Sequence, residues 1–123
     1  MKRLQTLLSL FCALVGLHTF AQLAPSNSLT MYVGTYTEGG NSKGIYTYSF
    51  DQQQGTSALR GSTAAANPSF IALAPNGKHL YAVSEYNDGR QGAYSFEVNQ
   101  DKLLTQPIFQ PTQAGADPCH IIA

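Results

Sequence analysis

The chain repeats itself with a period of about fifty residues. Three pairs of segments match, at offsets of 50, 49 and 46 residues: 67–72 with 117–122, 32–36 with 81–85, and 48–51 with 94–97. A repeat of this length, if built from short strands, is typical of β-propeller blades. A blade buries its apolar faces only against its neighbours, so the repeat predicts a chain that needs further repeats beside it.

Alternating side chains and turn residues divide each repeat into short strands. The predicted strands are 29–37, 45–50 and 58–65 in the first repeat, and 70–74, 79–86, 93–99 and 103–110 in the second. Between the first two strands of the second repeat, Pro75-Asn76-Gly77 predicts a tight hairpin, for which Asn-Gly favours the primed turn types.

These strands predict an all-β chain of about two blades, each an antiparallel four-stranded sheet with strands A to D from the inside outward. The second blade has all four strands, whereas the first has only B, C and D because no strand pattern precedes Leu29. We expect the missing innermost strand to come from a distant C-terminus, which would close the ring. The alternative is a three-stranded first blade. Two blades cannot close a ring, so we expect the chain to be the N-terminal part of a larger protein.

The first residues have the pattern of a signal peptide. Lys2 and Arg3 precede an apolar run from Leu7 to Leu17, and Thr19 and Ala21 are small residues at the −3 and −1 positions of a cleavage site. We therefore predict a signal peptide at 1–21, a lead-in at 22–28 and the propeller segment at 29–123. The protein would be exported, to the periplasm or the extracellular space, with no stable membrane span after cleavage. An uncleaved anchor and a buried N-terminal helix are the alternatives.

Charge and motifs exclude several classes of function. Seven Lys and Arg balance seven Asp and Glu, so the chain lacks the basic surface typical of nucleic-acid binding. We find no paired His or Cys spacing for zinc, no phosphate-binding glycine loop and no Gly-x-Ser-x-Gly elbow. The sequence therefore predicts no metal site, no cofactor and no nucleic-acid partner. Once the signal peptide is removed, Cys119 has no cysteine within the chain to pair with, and any partner would lie further on.

Four residues are candidates for a ligand site at the central channel. His120 takes the position of Phe70 in the repeat, where an imidazole could act as a general base or stay a structural, hydrogen-bonded residue of a wet channel. Glu85, which is matched by Tyr36 in the first repeat, could orient a substrate hydroxyl or simply cap a loop. Arg90 lies in a turn, where it could meet an anionic ligand or face solvent.

The order of several short motifs resembles the propeller lactonase family, which is similar to seven-bladed 6-phosphogluconolactonase and includes the carboxy-muconate cyclases. These motifs are Tyr32–Thr37, Gly44–Tyr46, Asn67–Phe70, Leu80–Glu85 and Gly115–His120. The resemblance runs from about residue 29 to residue 123. It implies a seven-bladed protein of roughly 340 residues by repeat arithmetic.

The resemblance also implies a function in carbohydrate metabolism, the hydrolysis of a sugar lactone to its aldonic acid. His120, the one residue here that matches the family's pattern, would be the catalytic base, and arginines beyond residue 123 would supply further charge. From their own positions at the channel, Glu85, Tyr36 and Arg90 are predicted to bind substrate. An exported protein does not meet a cytoplasmic phosphorylated intermediate, so we expect a different sugar lactone. The segment alone is not expected to be active. The alternatives are a secreted propeller that binds a glycan or a protein without catalysis, and a muconate-type lactonising cyclase.

Overall fold

The computed structural model describes residues 27–123, which form two antiparallel sheets of short strands. The first sheet has three strands and the second has four. Their bounds are β1 Ser28–Val33, β2 Gly44–Asp51, β3 Thr56–Ala64, β4 Ile71–Leu73, β5 His79–Ser84, β6 Gly92–Val98 and β7 Leu104–Pro111. The predicted signal peptide and most of the predicted lead-in lie outside the described residues.

Each sheet is a meander in which every strand pairs with the next one along the chain. The strand orders are β1-β2-β3 and β4-β5-β6-β7, so the two sheets correspond to B-C-D and A-B-C-D. The predicted all-β architecture, with a first blade that has no A strand among the described residues, is therefore confirmed. No helix occurs between residues 27 and 123, and accordingly none in this part of the chain could cross a membrane.

The repeat is visible in the geometry of the sheets as well as in the sequence. The register between the C and D strands shifts at Thr47/Tyr48 in the first sheet and at Ser95/Glu97 in the second, places 48 residues apart. Such bulges bend a strand and increase its twist. The two sheets therefore share a local bend at the same point of the blade.

The hairpin between β4 and β5 differs from the predicted primed turn. A primed type I′ turn needs positive φ at both central residues, but only Gly77 is left-handed here, with φ of 67°. The N–H of Gly77 donates to the carbonyl of Ala74 at 2.8 Å, so Pro75 and Asn76 occupy the central positions of the turn. Proline presets the φ of the first central residue of an ordinary turn, and the glycine then takes the left-handed position that follows.

Strand β1 ends at Val33, four residues earlier than the alternation of side chains predicts. A Cβ atom at Gly34 would lie 2.1 Å from the carbonyl oxygen of Pro68, so the chain passes there in close contact with the entry to the second sheet. Beyond this point the N–H groups of Thr37 and Glu38 bond to the side chain of Asn67 instead of a strand partner. The close approach redirects residues 34–38 from the first sheet to the second.

The apolar core joins the two sheets. It is formed by Ile45, Ala65, Leu80, Ala82, Phe96 and Leu104. Polar contacts also cross between the sheets: the hydroxyl of Tyr32 donates to the carbonyl of Lys102 at 2.8 Å, and the N–H of Ala66 donates to the hydroxyl of Tyr94 at 3.2 Å. The sheets therefore pack face to face, as neighbouring blades do.

The residues after β7 form no strand within the described part of the chain. They lie against the loop that follows β5: the N–H of Asp117 donates to the carbonyl of Tyr86 at 2.9 Å, and Gln91 donates to the carbonyl of Gly115. The repeat pairs 117–122 with the start of β4, so this segment has the sequence of a further A strand without its hydrogen-bonded partner.

Candidate functional site

The ends of the two B strands come together around a single carboxylate, that of Glu85. The hydroxyl of Tyr36, beyond the end of β1, donates to Oε1 of Glu85 at 2.9 Å. The hydroxyl of Ser69, just before β4, donates to Oε2 of the same carboxylate. Both oxygens therefore have a partner, and these come from the two different sheets. We call Tyr36, Ser69 and Glu85 the carboxylate cluster.

The carboxylate cluster favours the protonated form of Tyr36. Its hydrogen bond to Glu85 raises the pKa of Tyr36, and desolvation and the negative charge of Glu85 act in the same direction. The phenol lies at the surface, with 59% of the residue exposed. Tyr36 is thus a neutral hydroxyl held at a fixed place, and its ring is open to a ligand. A carboxylate oxygen has lone pairs for more than one donor, so Glu85 can still accept from a ligand hydroxyl.

His120 lies against Phe70, the residue whose position it takes in the repeat. The ring centroids are 4.7 Å apart and the ring planes make an angle of 54°. Phe70 directly follows Ser69, so the imidazole lies beside the segment that supplies the carboxylate cluster. No hydrogen bond between described residues holds the His120 ring, and the residue is exposed. Its nitrogens are free to act on a ligand, as a general base requires.

Arg90 is bound to acidic side chains and does not join the carboxylate cluster. Its Nη2 atom lies 2.9 Å from Oε1 of Glu38 and 2.5 Å from Oδ2 of Asp88, and its Cζ atom lies 3.8 Å from the centre of the Tyr86 ring. The hydrogen bonds from Arg90 lower the pKa of Asp88, and those from Asp88 and Glu38 raise the pKa of Arg90. Two carboxylates therefore already neutralise this guanidinium. Contact between Arg90 and a substrate remains a prediction.

Comparison with known proteins identifies the fold family. The family model for the seven-bladed β-propeller lactonases matches residues 30–123. The chain belongs to this family.

Individual relatives agree with that assignment. The chain is 31% identical over 91 residues to the 6-phosphogluconolactonase of Bacillus subtilis, in an alignment that covers 73% of this chain and 26% of that protein. A crystal structure of a candidate 6-phosphogluconolactonase from Bacteroides fragilis is 40% identical, with a TM-score of 0.70 and coverage of 76% of this chain and 26% of that one.

A third similar protein is the periplasmic gluconolactonase of Pseudomonas aeruginosa, which is 32% identical with a TM-score of 0.54. That match covers 64% of this chain and 23% of that one. The present chain thus spans about a quarter of the length of the lactonases that it matches.

Two residues that contact the carboxylate cluster are absent from the candidates chosen on sequence alone. Ser69 donates to Glu85, and Asn67 bonds to Thr37, Glu38 and Glu85. The repeat itself carries a signal for Asn67, because it pairs Asn67-Pro68 with Asp117-Pro118, whereas Ser69 is matched by Cys119. A polar residue before proline at both copies indicates a side chain with a defined local partner, but it does not reveal which group the partner is.

The cluster and the exposed histidine provide the elements of general base chemistry on a polar ligand. Tyr36 and Ser69 are hydroxyl groups, Glu85 is a fixed anionic acceptor and His120 is an unpaired imidazole beside an aromatic ring. Among residues 27–123 no group of three or more His, Cys, Asp or Glu lies close enough to hold a metal ion. This arrangement fits a ligand that has hydroxyl groups and an apolar ring face, as a sugar lactone has.

Proposed function

We propose that the complete protein is a hydrolase that opens a sugar lactone to its aldonic acid. The observation that carries this proposal is the carboxylate cluster beside the exposed His120–Phe70 pair, in a chain of the lactonase family. The relatives from Bacillus subtilis and Bacteroides fragilis, named or described as 6-phosphogluconolactonases, support the reaction class. Because this chain spans about a quarter of their length, the other blades would supply the remaining groups.

In the proposed reaction His120 acts as the general base. It takes a proton from water as the water oxygen attacks the lactone carbonyl, which gives a tetrahedral oxyanion. The oxyanion then collapses, the bond from the carbonyl carbon to the ring oxygen breaks, and that oxygen leaves as a hydroxyl after taking a proton from the imidazolium. Stabilisation of the oxyanion by fixed hydrogen-bond donors is a large term in such reactions. Those donors would come from blades beyond residue 123.

The substrate would be bound through its hydroxyl groups. Glu85 would accept from a sugar hydroxyl, Tyr36 would hold the carboxylate in place and contribute a ring face, and Phe70 would pack on the apolar side of the sugar. A carboxylate in the wall of the site repels a phosphate group, and Arg90, the cation near it, is already paired with Glu38 and Asp88. These charges favour an unphosphorylated sugar lactone over its 6-phosphate.

The test of the reaction is hydrolysis of gluconolactone by the complete protein, compared with its His120→Gln variant. Loss of the base should lower kcat by about 10²- to 10⁴-fold, after subtraction of spontaneous hydrolysis. The pH profile should also lose the limb that an imidazole base produces.

The matched control is Tyr32→Phe, which removes a hydrogen bond between the sheets at Lys102 and leaves the site intact. Full activity of His120→Gln across the pH range would show that the histidine is structural. Activity on a dicarboxylic diene and none on sugar lactones would favour the cyclase, and glycan binding without turnover would favour a non-catalytic propeller.

We further propose that the protein is exported and that it begins at Gln22 after cleavage. The support is the Lys2-Arg3 pair before an apolar run and the small residues Thr19 and Ala21. The similar protein from Pseudomonas aeruginosa is described as periplasmic, which agrees with this proposal. N-terminal mass spectrometry of the exported protein should find Gln22 or its pyroglutamate form as the first residue. An intact Met1 on the exported protein would contradict it.

A further inference from the structure

A buried amide, that of Asn67, connects the two chain segments that carry Tyr36 and Glu85. Its Oδ1 atom accepts hydrogen bonds from the N–H of Thr37 at 2.9 Å and the N–H of Glu38 at 3.1 Å. Its Nδ2 atom donates to the carbonyl of Glu85 at 3.2 Å. Asn67 is only 5% exposed. One side chain therefore satisfies the backbone next to Tyr36 in the first sheet and the backbone of Glu85 in the second.

The backbone of Asn67 is also held in place. The N–H of Glu85 donates to the Asn67 carbonyl at 3.1 Å, and the N–H of Asn67 donates to the hydroxyl of Thr37 at 3.1 Å. The φ angle of Asn67 is 43°, in the left-handed region that Asn and Asp visit more readily than other residues with a side chain. This conformation aims the amide at the loop after β1 while Pro68 starts the approach to β4.

The same position, a left-handed residue before proline, recurs one repeat later with an acid in place of the amide. Asp117 also precedes a proline and has φ of 47°. Its N–H donates to the carbonyl of Tyr86, and its Oδ2 atom accepts from Nδ2 of Asn87 at 3.3 Å. The recurrence shows that the position is a regular part of the blade and that the backbone of an Asp adopts the same left-handed conformation there, with the Asp117 side chain exposed. Only the copy at Asn67 joins the residues of the carboxylate cluster.

We infer that Asn67 is a positioning residue for lactone hydrolysis, one that fixes the separation of Tyr36 and Glu85 across the two sheets. The catalytic role of Asn67 rests on the proposed function, whereas its structural role rests on the hydrogen bonds given above. Asn67 touches no part of the proposed substrate. It acts through Glu85, whose carboxylate needs a fixed place to meet a sugar hydroxyl, because small displacements of a binding group lower the rate strongly.

The test uses two variants of Asn67 in the complete protein. Asn67→Ala removes all side-chain bonds, whereas Asn67→Asp keeps the acceptor for Thr37 and Glu38 and replaces the donor to Glu85 with a carboxylate oxygen that faces the Glu85 carbonyl. Amide hydrogen exchange at Thr37 and Glu38 should become faster in Asn67→Ala and stay slow in Asn67→Asp. KM for gluconolactone should rise at least about fivefold in both variants, the factor that corresponds to one neutral hydrogen bond of about 1 kcal/mol, and the buried charge of Asn67→Asp adds to that loss.

A second readout reports on the cluster without any substrate. The absorbance titration of Tyr36, obtained as the difference from Tyr36→Phe, should move back toward that of an ordinary tyrosine in Asn67→Ala, because its bond to Glu85 is loosened. Tyr32→Phe is the control, since it breaks a bond between the sheets at Lys102. Residues 99–103 connect β6 to β7 at the sheet end opposite Glu85, because Ser84 pairs with Gly92 and His79 with Glu97.

The outcomes separate the inference from the proposed function. If both Asn67 variants lower the melting temperature, as the control does, but leave KM and the Tyr36 titration unchanged, Asn67 only supports the fold and the inference is wrong. Should Asn67→Ala fail to fold, an unchanged KM in Asn67→Asp would overturn it just as well. If the wild-type protein hydrolyses no sugar lactone, the proposed function fails, while hydrogen exchange and the Tyr36 titration still decide whether Asn67 fixes the cluster.

Discussion

Residues that occupy the same position in successive repeats contact each other at two places. Tyr36 and Glu85 are 49 residues apart and share a hydrogen bond, and Phe70 and His120 are 50 residues apart and have their rings in contact. At these two places, residues that are one repeat apart in the sequence are therefore neighbours in space. This is how two pairs selected from sequence offsets alone form one surface in the structure.

The first prediction concerns the phenol of Tyr36. Its pKa is raised because the protonated form donates to Glu85, so this bond contributes stability below the ordinary value of about 10 and loses it as the pH rises through the higher folded value. Glu85→Gln removes the charge and should move the Tyr36 titration back toward the ordinary value. Ultraviolet absorbance titration measures this shift.

The control for that titration is the double variant. With Tyr36 replaced by Phe, the further change Glu85→Gln should leave the remaining tyrosine titration as it was. A titration of Tyr36 that does not respond to Glu85→Gln would mean that the hydrogen bond between them does not form in solution. In catalysis, Tyr36→Phe should raise KM more than it lowers kcat, because the phenol positions the carboxylate and transfers no proton.

At the scale of the strands, the site exists because two B strands end early. β1 stops at Val33 and β5 stops at Ser84, and the residues that follow turn toward the entry of β4 at residues 67–70. Gly34 permits this approach because its backbone lies against the carbonyl of Pro68. A strand that continued to Thr37, as alternation suggests, would carry Tyr36 away from Glu85.

The second prediction tests this close approach. In Gly34→Ala the new Cβ would lie 2.1 Å from the Pro68 carbonyl oxygen, so the two backbones must separate. We expect a loss of about 1–3 kcal/mol in the free energy of unfolding, as for other overpacked positions, together with a higher KM. Gly40→Ala is the matched control, because nothing lies within 4 Å of its Cβ position and its φ is not left-handed. Equal melting temperatures for the two variants would contradict the prediction.

At the scale of the whole molecule, apolar packing between the two sheets holds the elements that carry the site in their relative positions. The buried residues come from both sheets, while large apolar side chains remain exposed elsewhere, among them Leu59, Ile108 and Phe109. In a propeller each blade is covered by its neighbours, so surfaces of this kind are suited to further blades. The interface between the two sheets buries Ile45, Leu80 and Phe96 and fixes the positions of β1 and β5 relative to each other.

The third prediction concerns that interface. Leu80 is 1% exposed, and Leu80→Ala should lower the free energy of unfolding by about 2–5 kcal/mol through the lost contacts and the cavity left behind. Leu80→Met conserves volume and should cost less than about 1.5 kcal/mol. Thermal unfolding of the complete protein compares the two. A Leu80→Ala variant as stable as Leu80→Met would show that the two sheets do not pack on each other in solution.

Local pattern and repeat length were enough to predict the strands, their order and, among residues 27–123, the absence of an A strand in the first sheet. They also selected Tyr36 and Glu85, which the structure joins. Pattern alone missed the early end of β1, because the approach of Gly34 to Pro68 is a tertiary contact. It also predicted the wrong turn at Pro75-Asn76-Gly77, where proline preorganises an ordinary turn. The pairing of Arg90 with Glu38 joins residues 52 apart, and no local signal predicts it.

The simple succession of strands has a consequence for the order of folding. Every ladder joins consecutive strands, so pairing within each sheet closes only short loops. The carboxylate cluster is different, because Tyr36 and the loop after β1 bond to Glu85 and Asn67, which come later in the chain. Strand pairing within the first sheet can therefore precede the formation of the carboxylate cluster. The cluster forms only when the second sheet packs against the first.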